Sequence, residues 1–133
     1  MAVASRLTTR TAADTIRREL AADDTAFALR MVVMAVLDIR AILAAGDAAA
    51  IDDFVVPPQT TGSRRWDVLL GSAVGRELRL AEVHRPNWAR PPALHSFWYV
   101  DPTPLLRART MQRTAPDLAC VGIWLDDAAF RAP

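Results

Sequence analysis

Lysine is absent: all 16 cationic side chains are arginine. A GC-rich coding composition accounts for this better than selection for phosphate binding. With 15 carboxylates the net charge is only +1. A chain so balanced sets up no global field toward nucleic acid or an anionic membrane. Cysteine is nearly absent too, and a lone Cys120 excludes an internal disulfide framework and a Cys-rich zinc site. No glycine-rich phosphate loop and no G-x-S-x-G elbow occurs. The N-terminal MAVASRLTTRTAAD lacks the continuous apolar stretch of a secretory signal. These absences lead us to expect a bacterial, cytoplasmic protein without cofactor, metal or catalytic set.

Apolar residues make up 52% of the 133 positions, ample for one core. Their densest stretch is Asp24 to Gly46, where the only polar residues after Asp24 are Thr25, Arg30, Asp38 and Arg40. At about 100° per residue those four scatter, so apolar side chains cover every face of a helix. Its longest internal charge-free run, Met31 to Leu37, is far too short to span a bilayer. The expectation is a central core helix, with Met31, Met34, Ala35 and Ile42 almost fully buried. Arg30 and Asp38 should then be paired by neighbouring helices, because unpaired buried charge is costly.

Around it the pattern reads as an all-α fold: one compact helical bundle spanning residues 1–133, with 1–10 a flexible lead-in. A short amphipathic helix starts at Thr11 as N-cap and turns Ile16 and Leu20 to one face. Asp47 caps a helix to Val55 that Pro57 and Pro58 stop. Ser63 caps a longer helix, Arg64 to about Val83, whose Trp66, Leu69, Leu70, Ala73, Val74 and Leu78 keep the helical period. Trp66 should anchor that helix on the central one. Gly71 and Gly75, each costing about 1 kcal/mol against alanine, suggest close packing against another helix.

The segment HRPNWARPPALHSFWYVDPTP is too proline-rich for a long helix and too aromatic for disorder. We expect an irregular Pro/Trp-rich C-terminal wrap that lays Trp88, Phe97, Trp98 and Tyr99 over the helices. Thr103 and Pro104 should open a helix through Arg113, with one turn at Ala115 to Cys120, a strand-like Gly122 to Leu125, and a terminal turn capped by Asp126.

Chemistry is sparse. His84 and His95 lack the spacing of a standard zinc motif, and a hydrogen-bonded structural role is the commoner outcome for such residues. Cys120, within LACVG, reads as a small buried thiol. The pairs Asp23–Asp24, Asp52–Asp53 and Asp126–Asp127 fall at helix ends, where capping explains them. Arginines cluster more suggestively: Arg64, Arg65, Arg76 and Arg79 on one helix, Arg107, Arg109 and Arg113 on another.

Several short elements carry a resemblance. They are FALRM (Phe27 to Met31), TGSRRWDVLL (Thr61 to Leu70), PNW (Pro86 to Trp88), FW (Phe97, Trp98), AP (Ala115, Pro116) and GI (Gly122, Ile123). In that order they resemble an actinobacterial family of antitoxin-like, transcriptional-regulator-associated helical domains encoded beside nucleotidyltransferase-like toxins. Members often follow an N-terminal helix-turn-helix segment, for which the residues ahead of Asp24 are too few. The resemblance therefore implies the toxin-contacting or dimerising part. The expected function is non-catalytic binding of a partner protein, such as a cognate toxin, or of a second copy of the chain. Trp, Tyr and Arg are enriched at interface hot spots, so Trp88, Trp98, Tyr99, Arg107, Arg109 and Arg113 are the expected partner-binding residues. The alternative is a nucleic-acid-binding regulator using the Arg64–Arg79 and Arg107–Arg113 faces.

Overall fold

In a computed structural model that describes residues 7–131, helix accounts for 63% and strand for 5%. The fold is all-α. Its first helix, α1 (Thr9–Ala21), begins with a reciprocal pair of threonines. Thr8 is the N-cap, its hydroxyl accepting from the Thr11 amide at 3.3 Å while the Thr8 amide donates to Thr11 Oγ1 at 2.9 Å. The cap therefore lies three residues earlier than expected, because Thr11 serves as the second half of a capping box. Within the expected lead-in, Thr8 is thus the cap and Thr9 and Arg10 belong to the helix, while residues 1–6 lie outside the described residues. The buried Thr9 hydroxyl donates to the Phe54 carbonyl at 2.7 Å, tying α1 to the end of α3 (Ala48–Phe54).

The apolar stretch forms α2 (Thr25–Ala45), capped by Asp24 and closed by Gly46 at φ 68°. It packs on α1 and on α4 (Arg64–Leu80) through Ala28, Met31, Val32, Ala35, Ile39 and Ile42. Met34 departs from expectation at 41% exposed, and Phe27 is 38% exposed. One side of α2 meets no neighbour among the described residues, so a helix apolar on every face is buried on only part of it. Arg30 is likewise exposed, and Asp38 is half-buried, its Oδ2 accepting from the Leu7 amide at 2.8 Å. The paired charge of α2 is Arg40. It grips the buried Glu77 of α4 through two nitrogens, at 2.5 and 3.3 Å, and donates to the Phe130 carbonyl.

Every residue of α4 from Val68 to Gly75 is buried. Trp66 is 6% exposed, and its ring meets Trp98 edge-on at 5.3 Å. The two glycines admit the backbone of the wrap, where a helix was expected. A Cβ at Gly71 would collide with the Trp88 carbonyl oxygen, and one at Gly75 with that of Ala89. Those carbonyls belong to a 3₁₀ turn, Asn87–Ala89. The wrap then runs through β1 (Trp98–Tyr99), a 3₁₀ turn at Pro104–Leu106, α5 (Arg107–Arg113), α6 (Pro116–Ala119) and β2 (Ile123–Trp124). β1 and β2 pair in parallel, Trp98 with Ile123 and Tyr99 with Trp124, so the helices between them form the crossover that parallel pairing needs. The expected helix from Pro104 to Arg113 is thus two pieces. Thr103 gives it no side-chain cap; its hydroxyl donates instead to Asp101 at 2.7 Å. Two ion pairs fasten the wrap to α4: Arg76 with Asp127, and Arg79 with Asp117 at 2.7 Å. Among the described residues no helix is long and apolar enough to cross a membrane.

Candidate partner-binding face

α5 lies on the outside of the wrap. Among its seven residues only Thr110 is buried. Behind it, Thr114 Oγ1 donates to the Thr110 carbonyl at 2.7 Å and accepts from the Leu125 amide at 3.0 Å, which holds the end of the helix against the chain after β2. In front, Leu105 is 94% exposed, and Leu106 and Met111 are also exposed. The turn that presents Leu105 is set by Asp101, whose carboxylate accepts from the Thr103 amide and hydroxyl. Those two donors, hydroxyl first, hold its pKa below the ordinary carboxylate value. Between α5 and α2 lies a mainly apolar cleft of about 310 Å³, lined by Leu29, Leu106, Thr110, Leu125 and Ala129 together with Asp101, Arg109 and Asp126.

Four of the six residues singled out in the sequence meet here. Arg107 lies over the Tyr99 ring at 4.9 Å, and the Tyr99 hydroxyl approaches Met111 Sδ at 3.3 Å. Arg113 stands 4.0 Å from Asp126, and Arg109 makes no ion pair among the described residues. The other two lie in the packing of the wrap. Trp88 is half-buried, its indole N–H donating to the Val55 carbonyl at 3.0 Å. Trp98 is half-buried between Trp66 and the Arg65 guanidinium, which sits 5.7 Å from its ring centre. Leu105, Leu106 and Met111 escaped the sequence reading. Their signal was present in PLLRARTMQR, where apolar and cationic residues alternate without an acid.

Two of the four arginines of α4 have close acidic partners. Arg76 and Arg79 are paired with Asp127 and Asp117, and the Asp117 pKa is lowered chiefly by its hydrogen bond from Arg79. Asp67 is committed as well. It accepts from Thr60 Oγ1 at 2.5 Å and from the Thr61 amide and hydroxyl, both at 2.7 Å, stapling the preceding loop to the helix start. A second cleft of about 320 Å³ lies beside it, bounded by Pro58, Arg64, Val68, Trp88 and Pro91. His84 and His95 are exposed, and among the described residues no three His, Cys, Asp or Glu side chains group as a metal site would require. Cys120, expected to be buried, is exposed with its Sγ 3.4 Å from the Asp117 carbonyl oxygen. It follows the single turn of α6, whose inward position is taken by Leu118. Compared with known protein families, curated proteins and solved structures, the chain matches none.

Proposed function

We propose that the chain is a cytoplasmic, non-catalytic binding module of antitoxin or regulator type, acting by stoichiometric capture of a partner protein on the α5 face. The observation that carries this reading is Leu105, 94% exposed and close in sequence to Arg107, Arg109 and Arg113, next to Leu106, which lines a mainly apolar cleft. A large apolar side chain left in water beside three cations, of which only Arg113 pairs with an acid among the described residues, suits an apolar anchor ringed by complementary charge. The partner surface it fits is acidic with an apolar centre. The family resemblance adds the partner class, a nucleotidyltransferase-like toxin.

The test is co-expression with the product of the neighbouring gene, followed by pull-down. A complex lost on Leu105→Glu and on Arg109→Glu is expected. Failure to form a complex with any neighbouring product, or a complex indifferent to both changes, counts against the reading. The nucleic-acid alternative has less to stand on, since two of the four α4 arginines are already paired with acids. It requires binding to duplex DNA or RNA that weakens steeply with salt.

A further inference from the structure

The exposed side of α2 has no business facing water on its own. Phe27, Arg30, Met34, Leu37, Ala41 and Ala44 follow one another at alternating steps of three and four residues. That spacing makes the seam of a two-helix coil. It lies opposite Ala28, Val32, Ala35 and Ile39, all buried. Every seam residue is exposed except Leu37, which is half-buried. A surface helix normally turns charged and polar groups outward, whereas this one turns out an apolar stripe with a single cation.

We infer that α2 packs antiparallel against α2 of a second copy of the chain, about a two-fold axis passing between Ala35 and Val36. The order of residue sizes along the seam is self-complementary in that arrangement. Phe27 falls opposite Ala44, Met34 opposite Leu37, and Arg30 opposite Ala41. A bulky residue meets a small one at each end, and two medium ones meet at the centre. Charge selects the same direction. In a parallel, in-register pair Arg30 would face its own copy. In the antiparallel pair it arrives beside Ala41, three residues (about 4.5 Å along the axis) from Asp38 of the other copy, within reach of an arginine side chain. Asp38 has capacity to receive it, since Oδ2 takes the Leu7 amide and Oδ1 accepts nothing among the described residues. Arg30 makes no ion pair among those residues either. The two-fold creates each contact twice, as an isologous interface does, with helices crossing at about 20°.

Sedimentation of the purified chain tests this directly. The wild type is expected at twice its 14.6 kDa chain mass, and Met34→Asp at the single-chain mass with unchanged helical circular dichroism. Arg30→Asp and Asp38→Arg should each be monomeric alone, because both juxtapose like charges across the two-fold. Their equimolar mixture should recover a dimer, since both cross-chain pairs are then restored. Leu105→Glu should leave the mass unchanged, which separates this surface from the partner-binding face. A wild type that stays monomeric, a dimer that survives Met34→Asp, or a mixture that stays monomeric overturns the inference.

Discussion

α4 and α5 are both arginine-bearing helices, and they differ in what meets those arginines. On α4 the cations are internal fasteners: Arg76 and Arg79 take acids from the wrap, and Arg65 lies over Trp98. The body beneath them is buried without a break from Val68 to Gly75. On α5 a single residue is buried, and the arginines stand among exposed Leu105, Leu106 and Met111. Counting arginines along the chain gives the two helices equal standing as binding faces. The closeness of the carboxylates makes the difference: Asp117 lies 2.7 Å from Arg79, whereas Asp126 stands 4.0 Å from Arg113, and a tighter pair within the chain leaves less charge to attract a partner.

Substitutions on the two helices should therefore separate stability from binding. The largest loss is expected for Trp66→Ala, which removes the ring packed on Trp98 and leaves a cavity costing about 3–5 kcal/mol, a large part of the roughly 5–15 kcal/mol that holds such a domain together. Thermal melting beside the wild type checks this, and a midpoint within a degree or two of wild type would mean that Trp66 supports nothing. Gly75→Ala comes next. Alanine favours a helix by about 1 kcal/mol, but here its methyl meets the Ala89 carbonyl, and overpacking of that kind costs about 1–3 kcal/mol. Net destabilisation in urea is expected, and a more stable variant would show that the wrap does not lie on α4.

A smaller effect should appear in acid. The folded-state pKa of Asp117 is lowered, so its bond to Arg79 contributes stability above the unfolded carboxylate value, about 3.9, and that contribution disappears as pH falls through the folded value. Asp117→Asn should lower stability at neutral pH and flatten its dependence on pH in the acid limb. Melting curves between neutral and acid pH that run parallel for variant and wild type would refute this. Least of all should stability respond on α5, where Leu105→Glu and Arg109→Glu are expected to shift unfolding by no more than about 0.5 kcal/mol while abolishing partner capture. If either unfolds the chain, α5 is part of the fold's support and the contrast with α4 collapses.

Several residues of the resemblance fall on the stabilising side of this contrast, although Phe27, Arg30 and Phe97 among them are exposed. Trp66 sits in the core, Asp67 staples the loop at Thr60 and Thr61, and Trp88 hydrogen-bonds Val55. Trp98 packs on Trp66, and Gly122 lies buried at φ 87° immediately before β2. Such residues specify a shape. The exposed residues of α5 lie outside those elements, so the function proposed for that face rests on its own geometry as much as on the likeness.

Much of the helical framework was legible locally. Asp24, Asp47 and Gly46 end their helices as their chemistry dictates, since caps and left-handed closures are decided within a few residues. The periodic apolar face of α4 is local in the same sense. Pairings between distant residues were not legible. Nothing around Ser96 to Val100 announces a parallel partner near Ile123, and nothing around Gly75 announces the carbonyl of Ala89. The α2 sequence marks the limit most clearly. By itself it determined a capped, 21-residue helix of uniformly apolar character. Only the tertiary structure decided which of its charges is paired and which of its faces stays bare. Helix formation depends on neighbours three and four positions away, whereas burial depends on where elements dozens of residues distant come to rest.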